Sequence, residues 1–429
     1  MSKAVKLFHQ HKNKLYLMKI SSLQVIVSFF TNILILRSIG LGGDLDVFYI
    51  GMSVFSFLYT SINWSISSIL PPYLIDNRGN GKEGALFVTV SIMVIPIALL
   101  VGLTMPLWLK YLYVNYLDTV EYSKILMVQS ILIGAYVVDG FILVYTAMLQ
   151  EKNKYITFNM SMLTASIVGL IFVWFTLDTL GVYAAAANQL LMKLTILSIM
   201  SYMFLPHVIK TIAFDKEQLN HIYHRTKYIL MGSLYYRTDE LAERYIASYL
   251  TGGFVSLLSF VQRVYGAIIT VLNSAIGLPA VTVFGNLIAE KKYKECRQVL
   301  LQYIFYLVII NSLLFTVVIL FGEWFFLSIM KDGLTVELNS IVYTVILCLF
   351  SGVFTRTITQ VSHSLLLALN KGSIATAYDS SAFTINLILK ITLTIHYGIN
   401  GLLMAMILSV LITDGAKMFL AFRELRKLD

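Results

Sequence analysis

The stretch 86–109, LFVTVSIMVIPIALLVGLTMPLWL, contains no charged side chain. A helix needs roughly 20 consecutive, mostly apolar residues to cross the hydrocarbon core of a bilayer, and this stretch is long enough to do so. On the surface of a soluble protein, a run of this length would expose more apolar area than water tolerates. The stretch therefore predicts a membrane-spanning helix.

The composition of the whole chain has the same character. Of its 429 residues, 58% are hydrophobic and 13% are charged, whereas soluble domains have about 45–50% and about 25%. This difference excludes a soluble enzyme, and the 13% of aromatic residues excludes intrinsic disorder. The two cysteines, Cys296 and Cys348, are too few for a disulfide-stapled secreted fold, and we interpret both as free thiols. A polytopic membrane protein remains.

Similar apolar stretches recur along the chain, and they predict an all-α protein with about twelve transmembrane helices. The first six are 17–37, 47–72, 86–109, 124–149, 155–177 and 181–205. The second six are 226–250, 254–285, 300–329, 338–369, 374–395 and 398–422.

The positive charges of the loops support this count, because cytoplasmic loops of membrane proteins carry an excess of Lys and Arg. If the N-terminus is cytoplasmic, the cytoplasmic loops hold 20 of the 32 basic residues, the opposite loops hold four, and eight fall within spans. One missed or invented span would reverse every later loop. We therefore expect both termini to lie in the cytoplasm.

The longest polar stretch, 206–225, has six predicted spans on each side. Internal repeats are common in transporters, and six spans per half give two parallel bundles. The second span of each half follows a Gly-rich turn and ends in Leu-Pro, at Pro71 and Pro279. We therefore expect an N-terminal six-helix bundle over 1–205, a cytoplasmic linker over 206–225, and a C-terminal six-helix bundle over 226–429.

The seventh predicted span is unusually charged for a membrane helix, since an ionisable group at the bilayer centre costs at least about 2.5–3.5 kcal/mol. At about 100° per residue, its charged side chains occupy one half of the helix circumference. They are Arg237, Asp239, Glu240, Glu243 and Arg244. This face either lines a central aqueous cavity, or pairs with itself as Glu240 and Arg244 could, or reaches the membrane interface.

Three further ionisable residues lie within predicted spans of the second half. Arg263, on the eighth span, is too deep to snorkel easily, so it either pairs with an acid of the seventh span or binds a phosphate. Arg356 and His363 share a face of the tenth span, where His363 is either a candidate proton relay or a hydrogen-bonded core residue. Asp414 and Lys417 are three residues apart, and we expect them to pair.

The chain lacks the motifs of several catalytic classes. It has no phosphate-cradling Gly-Lys-Ser/Thr loop and no His-Glu-x-x-His motif. No loop is long enough to form a soluble catalytic domain. We therefore expect no enzyme activity, no cofactor or metal, and no nucleotide or nucleic-acid partner, with an ion gradient or the membrane potential as the energy source.

Two segments resemble the MurJ/MviN-type lipid II flippases. The first, RSIGLGGDLDVFY from Arg37 to Tyr49, resembles the turn between the first two helices of that family, where an Arg-x-x-Gly-x-Gly stretch runs into Asp-Ala-Phe. The second, 239–279, resembles the corresponding region of the second half, with the elements ASYL, GFVS and Leu-Pro around Arg263. The six-plus-six arrangement is similar to the wider multidrug/oligosaccharidyl-lipid/polysaccharide (MOP) exporter superfamily.

This resemblance implies a V-shaped pair of bundles around a cationic cavity. It implies that alternating access carries an undecaprenyl-diphosphate-linked saccharide across the bacterial cytoplasmic (inner) membrane. Asp46 and Arg263 match functional positions of the family. The chain also departs from the family, because Tyr59-Thr60 stands where the second helix carries two arginines. Its helix count suits O-antigen and polysaccharide flippases better than lipid II flippases.

Our hypothesis is therefore a flippase for a polyprenyl-diphosphate-linked saccharide, which is lipid II, an O-antigen unit or an exopolysaccharide unit. Arg263, Arg237 and Arg244 would bind the diphosphate through charge-assisted hydrogen bonds. The acids of the seventh span, Asp239, Glu240 and Glu243, would hold these arginines when no substrate is bound. Asp46 would act at the outer gate, and the lipid tail would stay in the bilayer.

Two rival hypotheses belong to other functional classes. A MATE-like drug/cation antiporter would need a carboxylate for H⁺ or Na⁺, for which Asp139, Asp239 and Glu243 are candidates. An excess of arginine in the cavity would repel cationic drugs. A non-transporting membrane scaffold would leave the charged face in fixed pairs.

Overall fold

Helices make up nearly all of the chain in a computed structural model, which describes residues 3–67, 69–76, 82–152, 154–272, 276, 278–329, 336–369 and 371–427. No strand occurs in these ranges. The prediction of an all-α polytopic membrane protein is confirmed. Arg78 and Lys331, which contributed to the loop charges, lie outside the described residues.

The chain divides into two compact units, Met1–Tyr245 and Ile246–Asp429. The helices that begin in unit 1 are α1 (Lys3–Ile39), α2 (Gly43–Leu58), α3 (Trp64–Ser67), α4 (Leu70–Asp76), α5 (Glu83–Leu103), α6 (Met105–Leu112), α7 (Tyr122–Glu151), α8 (Tyr155–Leu180), α9 (Val182–Lys210), α10 (Lys216–Arg237) and α11 (Asp239–Ser248). A π-helical turn, Tyr59–Asn63, joins α2 to α3, and a 3₁₀ turn, Val114–Tyr116, follows α6.

Helix α7 is at the centre of unit 1, where it packs against α2, α4, α5 and α9. Its core-facing side chains include Leu132, Tyr136 and Val144, all fully buried. Helix α8 packs between α9 and α1. The outward-facing side chains of these helices are large and apolar, such as Trp174 and Phe175 on α8, as a lipid-facing surface requires.

Unit 2 contains α12 (Phe254–Leu272), α13 (Leu278–Ala289), α14 (Tyr293–Ile329), α15 (Val336–Ala368) and α16 (Gly372–Arg426). Helix α15 is at its centre and packs against the other four. Leu300, Leu365 and Leu366 are fully buried in a cluster built from α13, α14, α15 and the end of α16. Cys296 is buried in the same cluster, and both cysteines are free thiols, as predicted.

Glycines with positive φ mark corresponding places in the two units. Gly40 (φ 77°) precedes α2, and Gly253 (φ 84°) precedes α12. Gly181 (φ 52°, ψ −128°) separates α8 from α9, and Gly398 (φ 57°, ψ −133°) divides α16 into two arms. Residues with a Cβ rarely adopt these conformations, so glycine is needed at each place. The matching turns agree with the predicted repeat of six spans.

Ten helices of the described chain are long and apolar enough to cross a membrane. Two features explain why this number is smaller than the predicted twelve. The span Ala377–Arg426 counts once, although its arms on either side of Gly398 correspond to two predicted spans. The seventh predicted span, which forms the end of α10 and α11, is too charged to be counted.

Several long predicted spans contain breaks. The stretch 86–109 divides at Thr104 into α5 and α6, because Pro106 in the first turn of α6 cannot continue the hydrogen bonding of α5. The stretch 254–285 divides into α12, which ends at Leu272, and α13, which begins at Leu278. The seventh predicted span divides at Thr238.

The expected linker, 206–225, is helical over most of its length, since α9 continues to Lys210 and α10 begins at Lys216. Asp215 caps α10 by accepting a hydrogen bond from the backbone N–H of Gln218 at 2.9 Å. The Lys82 ammonium, just before α5, lies 3.2 Å from the same carboxylate. The predicted domain boundaries stay a prediction, since the division into compact units falls within α11.

A close backbone contact joins α5 to the end of α9. The N–H of Gly84 donates to Thr211 Oγ1 at 2.8 Å, and a Cβ at residue 84 would lie 2.3 Å from the Thr211 carbonyl carbon. Gly84→Ala should therefore lower the thermal unfolding midpoint of the detergent-solubilised protein, since overpacking costs about 1–3 kcal/mol. Gly102→Ala, in the same helix and with nothing within 4 Å of the added Cβ, is the matched control. Equal midpoints for the two variants would contradict this packing.

The Asp215 cap gives a second stability prediction. The Gln218 N–H, followed by Lys82, holds the pKa of the Asp215 carboxyl below its ordinary value. Asp215→Ala should destabilise the protein by about 1 kcal/mol, while Asp215→Asn should cost less because Asn also caps helices well. Because the folded-state pKa is lowered, the difference between wild type and Asp215→Ala should persist from neutral pH down to the ordinary pKa of 3.8, and disappear below it. An equal loss for both variants would rule out the cap as its source.

Candidate functional site

An ion pair between α7 and α9 places a nearly fully buried carboxylate inside unit 1. The Lys193 ammonium donates to Asp139 Oδ1. The Asn63 side-chain amide donates to the other carboxylate oxygen, Oδ2, at 3.2 Å. The Lys193 ammonium also lies 5.3 Å from the centre of the Tyr59 ring, within cation–π range. We call these four residues the unit 1 cluster.

The π-helical turn after α2 supplies two members of the unit 1 cluster. Tyr59 and Asn63 are its first and last residues, so both reach the side of the helix that faces α7 and α9. Tyr59 also stacks on Phe55, one turn earlier, with ring centres 6.3 Å apart. A π-helical turn disturbs the α-helical hydrogen bonding and is found frequently at functional sites.

Sequence reasoning identified Asp139 as a candidate carboxylate but did not pair it with Lys193. The signal was available, because they are opposite charges near the middle of two spans of a half that has few other charges there. Each would be costly alone in a bilayer, and a pair with additional hydrogen bonds offsets that cost. The part played by Asn63 and Tyr59 depends on the π-helical turn, which no sequence pattern indicated.

The charged face of the seventh predicted span is divided between two helices. Arg237 ends α10 and is half-buried, and Asp239 begins α11. Glu240 is exposed and accepts a hydrogen bond from Ser56 Oγ of α2 at 2.9 Å. The face is therefore attached to the helix that carries Tyr59.

Glu243 and Arg244 are buried, with 6% and 4% of their surfaces exposed. Arg244 Nη1 lies 3.8 Å from Glu243 Oε1. The sequence offered a pair of Glu240 with Arg244, but the contacts described are Glu240 with Ser56 and Arg244 with Glu243. Arginines and acids thus share this segment, as the hypothesis requires, while their role toward a substrate stays a prediction.

Asp46 is fully buried in the first turn of α2. Tyr116, in the 3₁₀ turn before α7, donates to Asp46 Oδ2 at 3.0 Å. Close by, Lys124 donates to both carboxylate oxygens of Asp44 at 3.0 Å. These contacts join the start of α2 to the start of α7, at the membrane face that the loop charges predict to be outside. A gating role for Asp46 stays a prediction.

Arg263 lies on α12 at the point where burial changes. Residues 254–261 are buried, whereas Arg263 and its neighbours toward the end of α12 are half-buried. The less buried half of α12 therefore begins near Arg263. A phosphate-binding role for Arg263 stays a prediction.

A second charged cluster lies between α15 and α16. The Lys417 ammonium pairs with Asp379 Oδ1 at 2.6 Å, which joins the two arms of α16. The expected pairing of Lys417 with Asp414 is therefore replaced by a pair across the kink. Arg356 and His363 on α15 face this cluster, because the charge of Arg356 acts on Asp414, and the charges of Lys417 and Asp379 act on His363. A proton relay through Arg356 and His363 stays a prediction.

Among the described residues, no group of three or more His, Cys, Asp or Glu side chains is placed to hold a metal ion. The charged groups instead occur as acid–base clusters, one beside the π-helical turn of unit 1 and one between the arms of α16 in unit 2.

No protein-family model matches the chain, and no curated protein matches it in sequence. Solved structures match it over nearly its whole length. An inward-facing multidrug resistance MATE transporter of the MOP superfamily has a TM-score of 0.76 at 12% identity, covering 97% of this chain and 98% of that one. The Vibrio cholerae MATE transporter VcmN, in a bent form, has a TM-score of 0.61 at 15% identity, covering 97% of each chain.

The lipid II flippase MurJ, in an inward closed conformation, has a TM-score of 0.78 at 15% identity, covering 96% of this chain and 89% of that one. The chain therefore has the fold of MOP-superfamily transporters, and the fold implied by the sequence resemblance is confirmed. At 12% and 15% identity these matches establish the fold. The proteins that share it are transporters and flippases rather than enzymes.

The contact of Tyr116 with Asp46 can be tested directly. Burial and the Asp46 carboxylate raise the pKa of Tyr116 above its ordinary value, so its phenol stays protonated and able to donate. Tyr116→Phe should destabilise the protein by about 1–3 kcal/mol, because a buried carboxylate oxygen loses its donor. The matched control is Tyr111→Phe, since the Tyr111 side chain is 78% exposed. Thermal unfolding in detergent would measure both, and an unchanged midpoint for Tyr116→Phe would contradict the contact.

Proposed function

We propose that the chain is a flippase that carries a polyprenyl-diphosphate-linked saccharide across the bacterial cytoplasmic membrane by alternating access. The saccharide belongs to lipid II, an O-antigen or an exopolysaccharide. The transporter fold and the ten apolar helices support transport within a bilayer. The choice of cargo rests on the charges of the candidate site.

The observation that carries this choice is that two buried acids of unit 1, Asp139 and Glu243, have cationic neighbours. Asp139 is paired with Lys193, and Glu243 lies 3.8 Å from Arg244. A cationic drug would have to displace a lysine or an arginine to reach either carboxylate. An anionic headgroup would instead meet cations that can exchange one anionic partner for another.

Arginine suits the proposed headgroup because its planar guanidinium stays charged and binds phosphate oxygens through two parallel hydrogen bonds. In this proposal Arg263, Arg237 and Arg244 bind the diphosphate. Asp239, Glu240 and Glu243 hold the arginines in the absence of substrate, and Asp46 acts at the outer gate. The prenyl tail stays among the lipids, which spares the protein a cavity for the whole molecule.

The second candidate is a MATE-like drug/cation antiporter, favoured by the similarity to solved MATE transporters. In that case Asp139, Asp239 or Glu243 would have to release its partner and bind H⁺ or Na⁺. A non-transporting scaffold is the third candidate, in which all of these pairs are permanent. For all three candidates we propose that both termini are cytoplasmic. This orientation rests on the loop charges alone.

The flippase proposal is tested by reconstituting the protein into vesicles that contain a fluorescent polyprenyl-diphosphate saccharide. Flipping is measured as the fraction of label that a membrane-impermeant quencher reaches with time. Arg263→Ala should slow flipping by roughly tenfold or more, since a hydrogen bond to a charged group contributes about 1.5–3 kcal/mol. Arg263→Lys should retain part of the rate.

The matched control is Arg426→Ala, which removes the same charge from an exposed position at the end of α16. It should flip at the wild-type rate. Wild-type rates for Arg263→Ala would sink the assignment of Arg263. Transport of a cationic dye by the wild type, without flipping of the lipid, would favour the antiporter, and no transport of either would favour the scaffold.

A further inference from the structure

The two partners of the buried pair differ in how far they can be reached. The Lys193 side chain is 22% exposed, whereas the Asp139 side chain is 4% exposed. The exposed surface of the pair therefore belongs mainly to the lysine side chain.

Asp139 has a hydrogen-bond donor other than Lys193. Its Oδ2 accepts from the Asn63 amide at 3.2 Å, and this bond does not involve the lysine. Asn63 is buried in the π-helical turn, so its position depends on backbone packing rather than on the ion pair. Lys193 ends in a flexible four-carbon stem with three N–H donors, and it can turn toward a new partner.

Tyr59 lies beside the same lysine. It is 36% exposed, and its ring lies between Phe55, on which it stacks, and the Lys193 ammonium. Its phenol O–H is a hydrogen-bond donor. Tyr59 therefore adds one hydroxyl donor beside the ammonium.

We propose that Lys193 and Tyr59 form a binding site for a phosphate-class oxyanion, in which Lys193 leaves Asp139 for the anion while Asp139 takes up a proton. Here Lys193 keeps its proton throughout, and the proton that arrives from water is bound at Asp139 Oδ1. The identification of the anion as the diphosphate of a lipid rests on the proposed function. The oxyanion site itself does not.

Proton uptake follows from the charge balance of the cluster. Burying an unpaired carboxylate between α7 and α9 would cost much free energy. A protonated, neutral carboxyl group beside Asn63 avoids that cost. The anion and the proton therefore enter together, and the proton offsets one negative charge of the anion. By linkage, binding of the anion should take up about one proton and weaken as the pH rises.

Few other titratable groups act on the pair. Tyr59 and Tyr136 are the tyrosines in electrostatic contact with it. Glu240 of α11 reaches the preceding turn through Ser56, and its negative charge opposes an anion at the mouth of the site. The remaining acids of the helices that pack on α7 and α9 lie at helix ends, as Asp46 does in α2 and Glu83 in α5.

The test is calorimetric titration of the purified full chain in lipid nanodiscs, with inorganic diphosphate and separately with undecaprenyl diphosphate as the probe. Titrations in two buffers of different ionisation enthalpy give the number of protons taken up. Wild type should take up about one proton per anion. Lys193→Gln should weaken binding by roughly ten- to a hundredfold, and Lys193→Arg should preserve it.

The informative variant is Asp139→Asn, which removes the competing anion and the proton acceptor together. It should bind at least as tightly as wild type and take up no proton. If Asp139→Asn instead weakens binding as much as Lys193→Gln, the pair is purely structural and the proposal is overturned. Lys152→Gln is the matched control, since Lys152 also lies 5.3 Å from an aromatic ring, that of Phe204, but is exposed.

A variant that fails to fold does not end the test. The double variant Asp139→Asn/Lys193→Gln replaces the pair by two neutral amides, and it should bind at least tenfold more weakly than Asp139→Asn alone. Equal binding by these two variants would overturn the site.

The two probes separate this inference from the proposed function. If inorganic diphosphate binds through Lys193 and the lipid does not bind, the oxyanion site stands and the proposed cargo is wrong. If wild type and Lys193→Gln bind the lipid equally well, the proposed cargo is supported and the proposed oxyanion site is overturned. Binding of neither probe by wild type overturns both.

Discussion

An ionised side chain can lie within a membrane only beside groups that compensate its charge, and this constraint organises both units of the protein. In unit 1 it joins Asp139 of the central helix α7 to Lys193 of α9, with Asn63 of the π-helical turn as a further donor. In unit 2 it joins Asp379 to Lys417 across the two arms of α16. Each pair therefore links two helical segments within its unit.

The sequence predicted those features of the fold that depend on neighbouring residues in the chain. Apolar runs such as 86–109 predicted spans, and loop charges together with the Gly-rich turns predicted two halves of six. Breaks within spans were harder to predict, because they depend on single residues such as Pro106 or on side-chain contacts. The paired glycines 181 and 398 could have strengthened the repeat, but their matching φ and ψ values are visible only in the structure.

The sequence predicted which residues of the site are charged, but it did not predict which residues they contact. The charges of the seventh span were identified, yet the hydrogen bond of Glu240 with Ser56 joins residues 184 positions apart, which no helical periodicity indicates. Likewise, Lys417 pairs with Asp379 of the opposite arm rather than with Asp414, three residues away. Partner choice depends on how helices pack, and one sequence alone does not determine that packing.

In the proposed function, the charges of the site decide which class of cargo the protein carries. Proteins of the same fold include multidrug transporters and a lipid II flippase, so the fold does not decide between cations and anionic lipids. Cationic partners beside Asp139 and Glu243 favour an anion. The tail of a lipid-linked substrate would meet the apolar outer surface of helices such as α8, and the headgroup would meet the basic side chains.

The most direct measurement is mass spectrometry of the lipids that remain bound to the protein after mild purification from its own membranes. A flippase of this kind should retain polyprenyl-diphosphate species, enriched over their share of the total lipid extract, and their mass would reveal the saccharide. Retention of bulk phospholipids alone, in the proportions of the surrounding membrane, would contradict the proposed cargo.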